Sequence, residues 1–508
     1  MKKFGLLLGT ASLMLVSFSA KAQYRDTAAQ EPQAVEKADT VGAPVVITLE
    51  QALQIALSEN LSVKVADMEI RRTEYAKKST YSSLFPQVDL SGSYQRTIKR
   101  QVMYMDVDRS ALTGGAGAGS GTGSGSGTGT GSGTGSSSGT GSGSGSGEGS
   151  ASAGKSLADG MEVGRLNTLS FGVSAALPLV NAQLWESIKI SGKSVDLAVE
   201  KARASRLDMI TQVKNAFYTT LLAKEAFNVY KEVYENALRN YEETEKKYNA
   251  QKASDLDLNR AKTTVANAVP NVYNAESSVI LALWQLKALM GVDLDTEIDV
   301  AGSLEDYSEH MFYDIHQHDS VSLDANTTMR QLAIQAEQLA RNIRLQKYAY
   351  IPTLAAQFNF SVNSMANDVK VSEFRWTPYS YVGIGLSIPI ITGGKRINDV
   401  RQAKNQYSQL QLQTQDTERN LRIAIRQSLN TMETNMKSYY AAQEAVGTAQ
   451  KGYDIAERSY QVGRSTLIEL NDAQLALTQA KLSESQAIYN FVVAKAQLEQ
   501  TLGKDFVE

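Results

Sequence analysis

Residues 167–179 of the sequence read NTLSFGVSAALPL, and residues 380–390 read SYVGIGLSIPI. In both stretches apolar residues alternate with polar or small ones, which is typical of a β-strand with one apolar face. A similar alternation precedes each stretch. We therefore predict four strands, arranged as two hairpins, at about 87–99, 167–179, 353–364 and 380–390.

The two hairpins belong to a tandem duplication. Leu177-Pro178-Leu179 recurs as Ile388-Pro389-Ile390, an offset of 211 residues, and Met290-Gly291 recurs as Leu502-Gly503, an offset of 212. Internal repeats of this kind set the architecture of a chain. The predicted organisation is repeat 1 over 48–300, a connector over 301–325 and repeat 2 over 326–508.

The predicted strands are long enough to cross a membrane. About 10 residues suffice for a tilted strand to span a bilayer, and aromatic residues cluster near the strand ends, as in interfacial girdles. Four strands are too few to close a barrel, and an open sheet edge is not viable in lipid. Spanning strands would therefore require a barrel built from several chains, whereas the edge of a soluble sandwich remains the alternative on this pattern alone.

The rest of the chain predicts very long helices. Apolar residues recur at three- and four-residue steps with few glycines or prolines over about 181–290 and 393–502, a narrow seam that indicates coiled-coil packing. Turns near 250–255 and 463–466 would fold each stretch into a helical hairpin. A shorter helix precedes each β-hairpin, at about 49–84 and 326–350. If the strands span a membrane, the fold class is mainly α with a membrane β-barrel part.

Two segments lie outside this repeat pattern. Lys2 and Lys3, an apolar run and the small-residue pattern Ala20-Lys21-Ala22 predict a signal peptide over 1–22, followed by an N-terminal linker over 23–47. The Gly/Ser/Thr tract at 113–154 holds about half of the 37 glycines. It cannot bury a core, and its place between two strands predicts a flexible loop, which is extracellular if the membrane is an outer one.

Composition excludes several classes of function. The absence of cysteine excludes disulfide scaffolds, thiolate metal sites and cysteine nucleophiles. The net charge of −3 gives no reason to expect nucleic acid as a partner. His316 and His318 with Asp319 could form a metal site, but a solvated connector is the preferred interpretation. No nucleotide-binding or hydrolase motif is present, so we predict no cofactor, no resident metal and no catalysis.

The sequence resembles the TolC-like outer-membrane efflux protein family over nearly the whole mature chain. The resemblance is carried by residues 49–57 (LEQALQIAL) with Asn60, by the two proline-containing hairpins, by the duplication, and by residues 460–473 (YQVGRSTLIELNDA). It implies a homotrimer, with a trimeric 12-stranded outer-membrane barrel continued by a long periplasmic α-helical tunnel. The duplicated repeat of helical hairpin and β-hairpin would supply one third of that assembly.

The resemblance also implies functional residues at the two helical turns. Glu469 and Asp472 match the acidic residues that narrow the periplasmic entrance, where they could hold a blocking divalent ion. Contacts that control gating would involve Asp257, Tyr460 and Arg464, the arginine falling one residue earlier than expected. The turns would dock a periplasmic adaptor protein through Gly463, Ser465, Thr466 and Leu467, with Ala253, Ser254 and Asp255 at the other turn.

The predicted function follows from this resemblance. The protein would be the outer-membrane channel of a tripartite efflux or type I secretion system, in contact with outer-membrane lipid and reaching through the periplasm. Its partners would be a periplasmic adaptor (membrane fusion) protein and an inner-membrane pump. An RND pump is favoured, and metal-exporting and ATP-driven pumps are the alternatives. An exported coiled-coil scaffold or adhesin without a pore is the competing interpretation.

Overall fold

A computed structural model describes residues 45–103, 161–309, 311, 322–368 and 374–504. The predicted signal peptide, the glycine-rich tract and the His316–His318 pair lie outside these ranges. The helices described are α1 Leu49–Glu59, α2 Leu61–Ser82, α3 Ala182–Asn249, α4 Asp255–Met290, α5 Thr327–Tyr348, α6 Lys395–Gln461 and α7 Leu467–Leu502. The strands are β1 Val45–Ile47, β2 Gln87–Arg96, β3 Gln101–Met103, β4 Met161–Val163, β5 Asn167–Val180, β6 Ile298–Val300, β7 Thr353–Ala366 and β8 Trp376–Ser387.

The four long strands form one antiparallel sheet in the order β2-β5-β7-β8. In its register Leu90 lies opposite Val173, and Phe171 lies opposite Val362. The predicted hairpins are therefore present, and β5 joins β7 across the two repeats. Strand β8 begins four residues earlier and ends three residues earlier than the predicted 380–390. Pro378 lies inside β8, where an edge strand tolerates a proline.

The helices form a row that continues the order of the strands. Nearest the sheet the packing order is α2, α3, α5, α6, and beyond it the order is α4, α3, α7, α6. Helices α3 and α6 belong to both rows because they contain 68 and 67 residues, a length of roughly 100 Å. The molecule is therefore one helix deep in the row, with two open sides. No helix in the described ranges is long and apolar enough to cross a membrane.

The N-terminal helical segment differs from its prediction. In place of one helix over 49–84, the chain forms α1 and α2 with a break at Asn60. The Asn60 side chain accepts a hydrogen bond from Ser62 N at 2.7 Å and donates one to the Leu289 carbonyl at 2.7 Å. The same amide thus caps α2 and joins it to the end of α4.

Repeat 2 contains an equivalent contact. We call the contacts at Asn60 and Asn326 the two joints. Asn326 caps α5 by accepting from Met329 N at 2.9 Å and donates to the Thr501 carbonyl at 2.5 Å. Its offset from Asn60 is 266 residues, and that of Thr501 from Leu289 is 212. The duplication is therefore preserved at the level of single hydrogen bonds.

Each joint also depends on a glycine. Gly291 and Gly503 end α4 and α7 with φ of 72° and 69°, the left-handed conformation that favours glycine at a helix C-terminus. A β-carbon on Gly503 would overlap the Ala325 carbonyl. The backbones of the returning helix and of the segment that precedes α5 meet there without room for a side chain.

The main core lies at this level of the molecule. Phe217, Leu286 and Phe491, from α3, α4 and α7, are fully buried. The short parallel pair β1 and β6 packs beside them, although its first strand lies in the stretch predicted as a linker. A mostly buried ion pair joins Lys214 and Glu499 at 2.5 Å, and burial lowers the pKa of Lys214 despite the attraction of Glu499.

The joint can be tested by substituting its glycine. We expect Gly503→Ala to destabilise the fold by about 2 kcal/mol, since the new β-carbon meets both an unfavourable φ and the Ala325 carbonyl. The control is Gly447→Ala in α6, where a β-carbon meets nothing within 4 Å. That change should stabilise the helix by about 0.5–1 kcal/mol. Thermal unfolding followed by far-ultraviolet circular dichroism measures both, and equal midpoints would contradict the assignment.

Candidate functional site: the tips of the helical hairpins

The two helical hairpins end in turns of the same design. Helix α3 passes to α4 through residues 250–254, and α6 passes to α7 through residues 462–466. Each turn contains a left-handed residue, Gln251 with φ of 58° and Gly463 with φ of 76°. The two positions are 212 residues apart, so the turns are equivalent in the two repeats.

Each turn is closed by a capping box. Ser254 and Asp257 exchange hydrogen bonds at the start of α4, Asp257 N donating to Ser254 Oγ at 3.1 Å. Thr466 and Glu469 do the same at the start of α7, where Thr466 N donates to Glu469 Oε2 at 2.9 Å. A carboxylate is also favoured there by the helix dipole. Two of the predicted site residues, Asp257 and Glu469, therefore have a structural role as well.

The predicted entrance carboxylates share one surface. Glu469 and Asp472 are three residues apart on α7, which places them on one face of the helix, and both are exposed. Among the described residues, no group of three or more side chains suitable for a metal is present. Any ion held by these two carboxylates would need the same residues of other copies.

Tyr460 is the most enclosed of the predicted gating residues. Its hydroxyl lies 2.5 Å from Thr244 Oγ1, and because Thr244 donates its own proton to the Asn240 carbonyl, Tyr460 is the donor. Burial raises the pKa of Tyr460, and the charge of Asp257 raises it further. The net increase keeps the phenol neutral, so that it can donate.

Lys247 provides a second contact to Tyr460, which the sequence did not reveal. Its Nζ donates to the Tyr460 carbonyl at 2.8 Å and lies 4.1 Å from the centre of the Tyr460 ring. A cation is favoured both at the C-terminal end of α6 and over an aromatic face. The signal that could have identified it is its place in the last turn of α3, beside the equivalent turn of α6. We call Thr244, Lys247 and Tyr460 the tip contact.

Arg464, the third predicted gating residue, lies in the turn between α6 and α7. The residue is exposed, and its backbone N–H donates to the Ser459 carbonyl at 2.8 Å. In the part of the chain that the structure describes, Asp257 forms no ion pair with Arg464. The Asp257 carboxylate accepts from Ser254 instead, with Ser254 Oγ at 2.7 Å.

The predicted docking residues divide into two groups. Leu467 is only 3% exposed and packs with Leu470, Tyr453 and Tyr460 in a small core beneath the turn, so it cannot reach a partner in this conformation. The other six are exposed or half-buried: Gly463, Ser465, Thr466, Ala253, Ser254 and Asp255.

Further polar contacts join the hairpins above the tips. Asn471 donates to Thr264 Oγ1 at 3.3 Å, and Asn236 donates to Gln474 Oε1 at 3.0 Å. Hydrogen bonds of this kind contribute about 1 kcal/mol each, so the two tips are held together by several weak contacts and the small core.

Comparisons with known proteins all find similarity to outer-membrane proteins. A family model described as outer membrane efflux protein matches residues 144–292 and 320–504. The chain is 22% identical over 343 residues to outer membrane protein TolC of Vibrio cholerae, covering 66% of this chain and 76% of that protein.

Solved structures with a similar fold include two channels. The outer membrane channel CmeC of Campylobacter jejuni superposes with a TM-score of 0.62 at 16% identity, covering 90% of this chain and 85% of that one. The outer membrane protein VceC of Vibrio cholerae gives 0.61 at 14% identity, with 90% and 96% covered.

The tip contact predicts a local change in stability. Lys247→Met keeps the aliphatic length but loses the charge, so we expect the tips to open more often and trypsin to cleave after Arg464 about 10-fold faster. Lys246→Met is the matched control, because Lys246 is the neighbouring exposed lysine of the same helix turn. Mass spectrometry of the fragments measures the rates, and similar rates in both variants would show that Lys247 does not hold the tips.

Proposed function

This chain belongs to the outer membrane efflux protein family, and from that premise we propose that three copies form one channel across the outer membrane and the periplasm. Members of this family are outer-membrane channels of tripartite efflux systems. The proposed activity is passive conduction, with no catalysis in this chain. An inner-membrane pump coupled through an adaptor would supply the energy.

The observation that carries the proposal is the pair of unpaired sheet edges. Strands β2 and β8 each have one neighbour in the sheet, which leaves two rows of backbone donors and acceptors without partners among the described residues. In lipid each unpaired group costs several kcal/mol. A head-to-tail ring removes both edges at once, and three copies of four strands supply the 12 that the family resemblance implies.

The strand faces support a position in lipid. Val382, Ile384 and Leu386 of β8 are exposed on one face, whereas Gly383 and Gly385 alternate with them. Val88 and Leu90 of β2 are exposed as well. Apolar side chains that face outwards in alternation are the pattern of an outer-membrane strand.

The absence of cysteine makes the ring directly testable. We expect a cysteine at Leu90 of β2 to form disulfides with a cysteine in β8 of another copy, at one position of a scan over Tyr381, Val382, Gly383 and Ile384. Oxidation should give covalent species of up to three chains on denaturing gels, and each single-cysteine variant serves as a control. Recovery of the wild-type protein as a periplasmic monomer, with no linked species at any position, would overturn the proposal.

At the other end of the ring, the turns would form the entrance. Three-fold symmetry would bring Glu469 and Asp472 of each copy around one axis, six carboxylates in all. Such a ring attracts cations and can hold a divalent ion. Opening would require the hairpins to separate, so the tip contact would favour the closed state. Asp257 and Arg464 would contribute to the same gating contacts.

The docking surface would be the ring of exposed turns. Six turns, two from each copy, would present Gly463, Arg464, Ser465 and Thr466 together with Ala253, Ser254 and Asp255 to the periplasmic adaptor. An RND pump is the favoured inner-membrane partner. Small and polar side chains at these turns fit a contact that must form and break without exposing a large apolar surface.

The entrance is tested by removing charge while preserving the capping box. In the double variant Glu469→Gln and Asp472→Asn, the introduced glutamine side chain can still accept from Thr466 N, so α7 should begin normally. We expect about a 10-fold higher Mg²⁺ concentration for half-maximal block in planar bilayers. Glu50→Gln, which changes an acidic residue in the first turn of α1, is the control. An unchanged block would remove both carboxylates from the entrance.

A further inference from the structure

The four-stranded sheet has two faces of different chemistry. Side chains alternate along a strand, so the register determines which residues share a face. Val382 of β8 lies opposite Phe358 of β7, and Trp376 of β8 packs on Phe171 of β5 with ring centres 6.0 Å apart. These residues belong to the apolar face, which faces lipid in the proposed barrel. The other face therefore lines the barrel interior, which is polar in outer-membrane barrels.

Two tyrosines of β8 lie on the interior face. Tyr379 is paired with Ser361 and Tyr381 with Asn359, and both tyrosines alternate with residues of the apolar face. Aromatic residues of an interfacial girdle face the lipid, so these two do not belong to a girdle. Their side chains are 60% and 43% exposed. Among the interior-facing residues of the four long strands that the structure describes, no other is aromatic.

The two tyrosine rings form a stepped surface with open space beside it. Their centres are 5.8 Å apart, and their planes are tilted by 45°. Gly383 is the next residue after Tyr381 on the same face of β8, and Gly172 lies beside Ser361 on the adjacent strand β5. Because neither glycine has a side chain, the rings are not covered from these two directions. An exposed aromatic patch with a polar rim is typical of a binding surface.

Hydrogen-bonding groups surround the rings. Asn359 and Ser361 are half-buried, and within the described ranges neither their side chains nor the two tyrosine hydroxyls form a hydrogen bond. Amides and hydroxyls can both donate and accept. Of the residues that the four long strands place on the interior face, only Asp89 is charged. The surface is therefore suited to a neutral ligand that carries hydroxyl groups.

These features favour sugar rings over other kinds of cargo. A sugar ring has a face of C–H groups that can pack on a tyrosine, and a rim of hydroxyls that can exchange hydrogen bonds with Asn359 and Ser361. A flat aromatic compound would be held between parallel rings roughly 7 Å apart, whereas these planes are tilted. An ammonium group can contact the ring faces, but it offers no acceptor to the amide and hydroxyl donors.

We propose that Tyr379, Tyr381, Asn359 and Ser361 bind the sugar rings of a saccharide cargo inside the barrel, and we call these four residues the tyrosine surface. The inference rests on the proposed function, because only a closed barrel makes this face an interior one. The tyrosines lie roughly 10–17 Å along β8 from its first residue, Trp376, so a ligand would reach them from the external side without passing the tips. Conduction requires such contacts to be weak and repeated, as three copies of this surface would be.

The tyrosine surface can be tested with maltohexaose as the probe. Single-channel currents of the full-length protein are recorded in planar bilayers while maltohexaose is added on the external side. We expect brief interruptions of the current, with a half-maximal concentration about 10-fold higher in the double variant Tyr379→Leu and Tyr381→Leu, which loses both aromatic contacts. Phe358→Leu is the matched control, because it removes an aromatic ring at the same level from the apolar face, and it should behave as the wild type.

Three further probes test the other occupants. Polyethylene glycol of the same mass reports simple obstruction, tetraethylammonium reports binding of an organic cation, and caffeine reports stacking of a flat neutral compound. Interruptions that maltohexaose causes at the lowest concentration, and that the double tyrosine variant weakens, support the proposal. An equal or stronger effect of any of the three other probes would overturn it, and so would an unchanged maltohexaose effect in the double variant.

Failure of this inference can be distinguished from failure of the proposed function. If the β2–β8 cysteines link and ionic current flows but maltohexaose has no effect, the sugar assignment is wrong and the channel stands. If the cysteines do not link and no current flows, the proposed function itself is wrong.

A second pair of variants covers the rings instead of removing them. A β-carbon at Gly383 would lie 3.9 Å from the Tyr381 ring, and valine is well suited to a strand. We therefore expect Gly383→Val to raise the half-maximal maltohexaose concentration about 5-fold while the current without sugar stays unchanged. Gly385→Val is the matched control, since it lies one step farther along the same face, where a β-carbon meets only the Ala355 carbonyl at 4.0 Å. Equal concentrations in the two variants would contradict an open ring surface at Tyr381.

Discussion

The structure depends on one constraint, which is that backbone hydrogen-bonding groups cannot remain unpaired in lipid. The four long strands form backbone hydrogen bonds with one another, but the outer edges of β2 and β8 have no partner within the described part of the chain. The row of helices also has two open ends, because each long helix follows a strand in the chain and the row ends where the sheet ends. A single copy therefore has open edges at both of its sides, in the sheet and along the whole length of the row of helices.

The duplication explains how one chain produces this open row. Asn60 and Asn326 make the same two hydrogen bonds, one that caps a helix and one that joins it to the end of the returning helix of its own repeat. Gly291 and Gly503 allow the backbones to meet at these joints. Because each asparagine side chain bonds to backbone groups, the joints tolerate extensive change of the other side chains. The two repeats have therefore diverged in sequence while they keep one geometry.

The sequence predicted the large features because they depend on periodicity. Alternation in residues 167–179 identified a strand, and the heptad spacing of α6 identified a long helix, since both patterns record which face is buried. The details that it missed depend on contacts between distant segments. Lys247 contacts Tyr460 across 213 residues, Leu467 is buried by a cluster from several helices, and the break at Asn60 is fixed by the Leu289 carbonyl. None of these contacts produces a periodic pattern of residues in the local sequence.

The two tips show how identical positions acquire different roles in such a row. Tyr248 and Tyr460 are equivalent by the offset of 212 residues, yet Tyr248 is 39% exposed and Tyr460 is 8% exposed. The difference arises because Tyr460 lies in the small core beneath the turn and contacts Thr244 and Lys247 of α3. The contact of Tyr460 with Lys247 and Thr244 therefore joins one hairpin to the other, while Tyr248 stays at the surface. In the proposed threefold ring the two repeats of one chain cannot have the same surroundings, and the proposed gating contact is expected at the position where these surroundings differ.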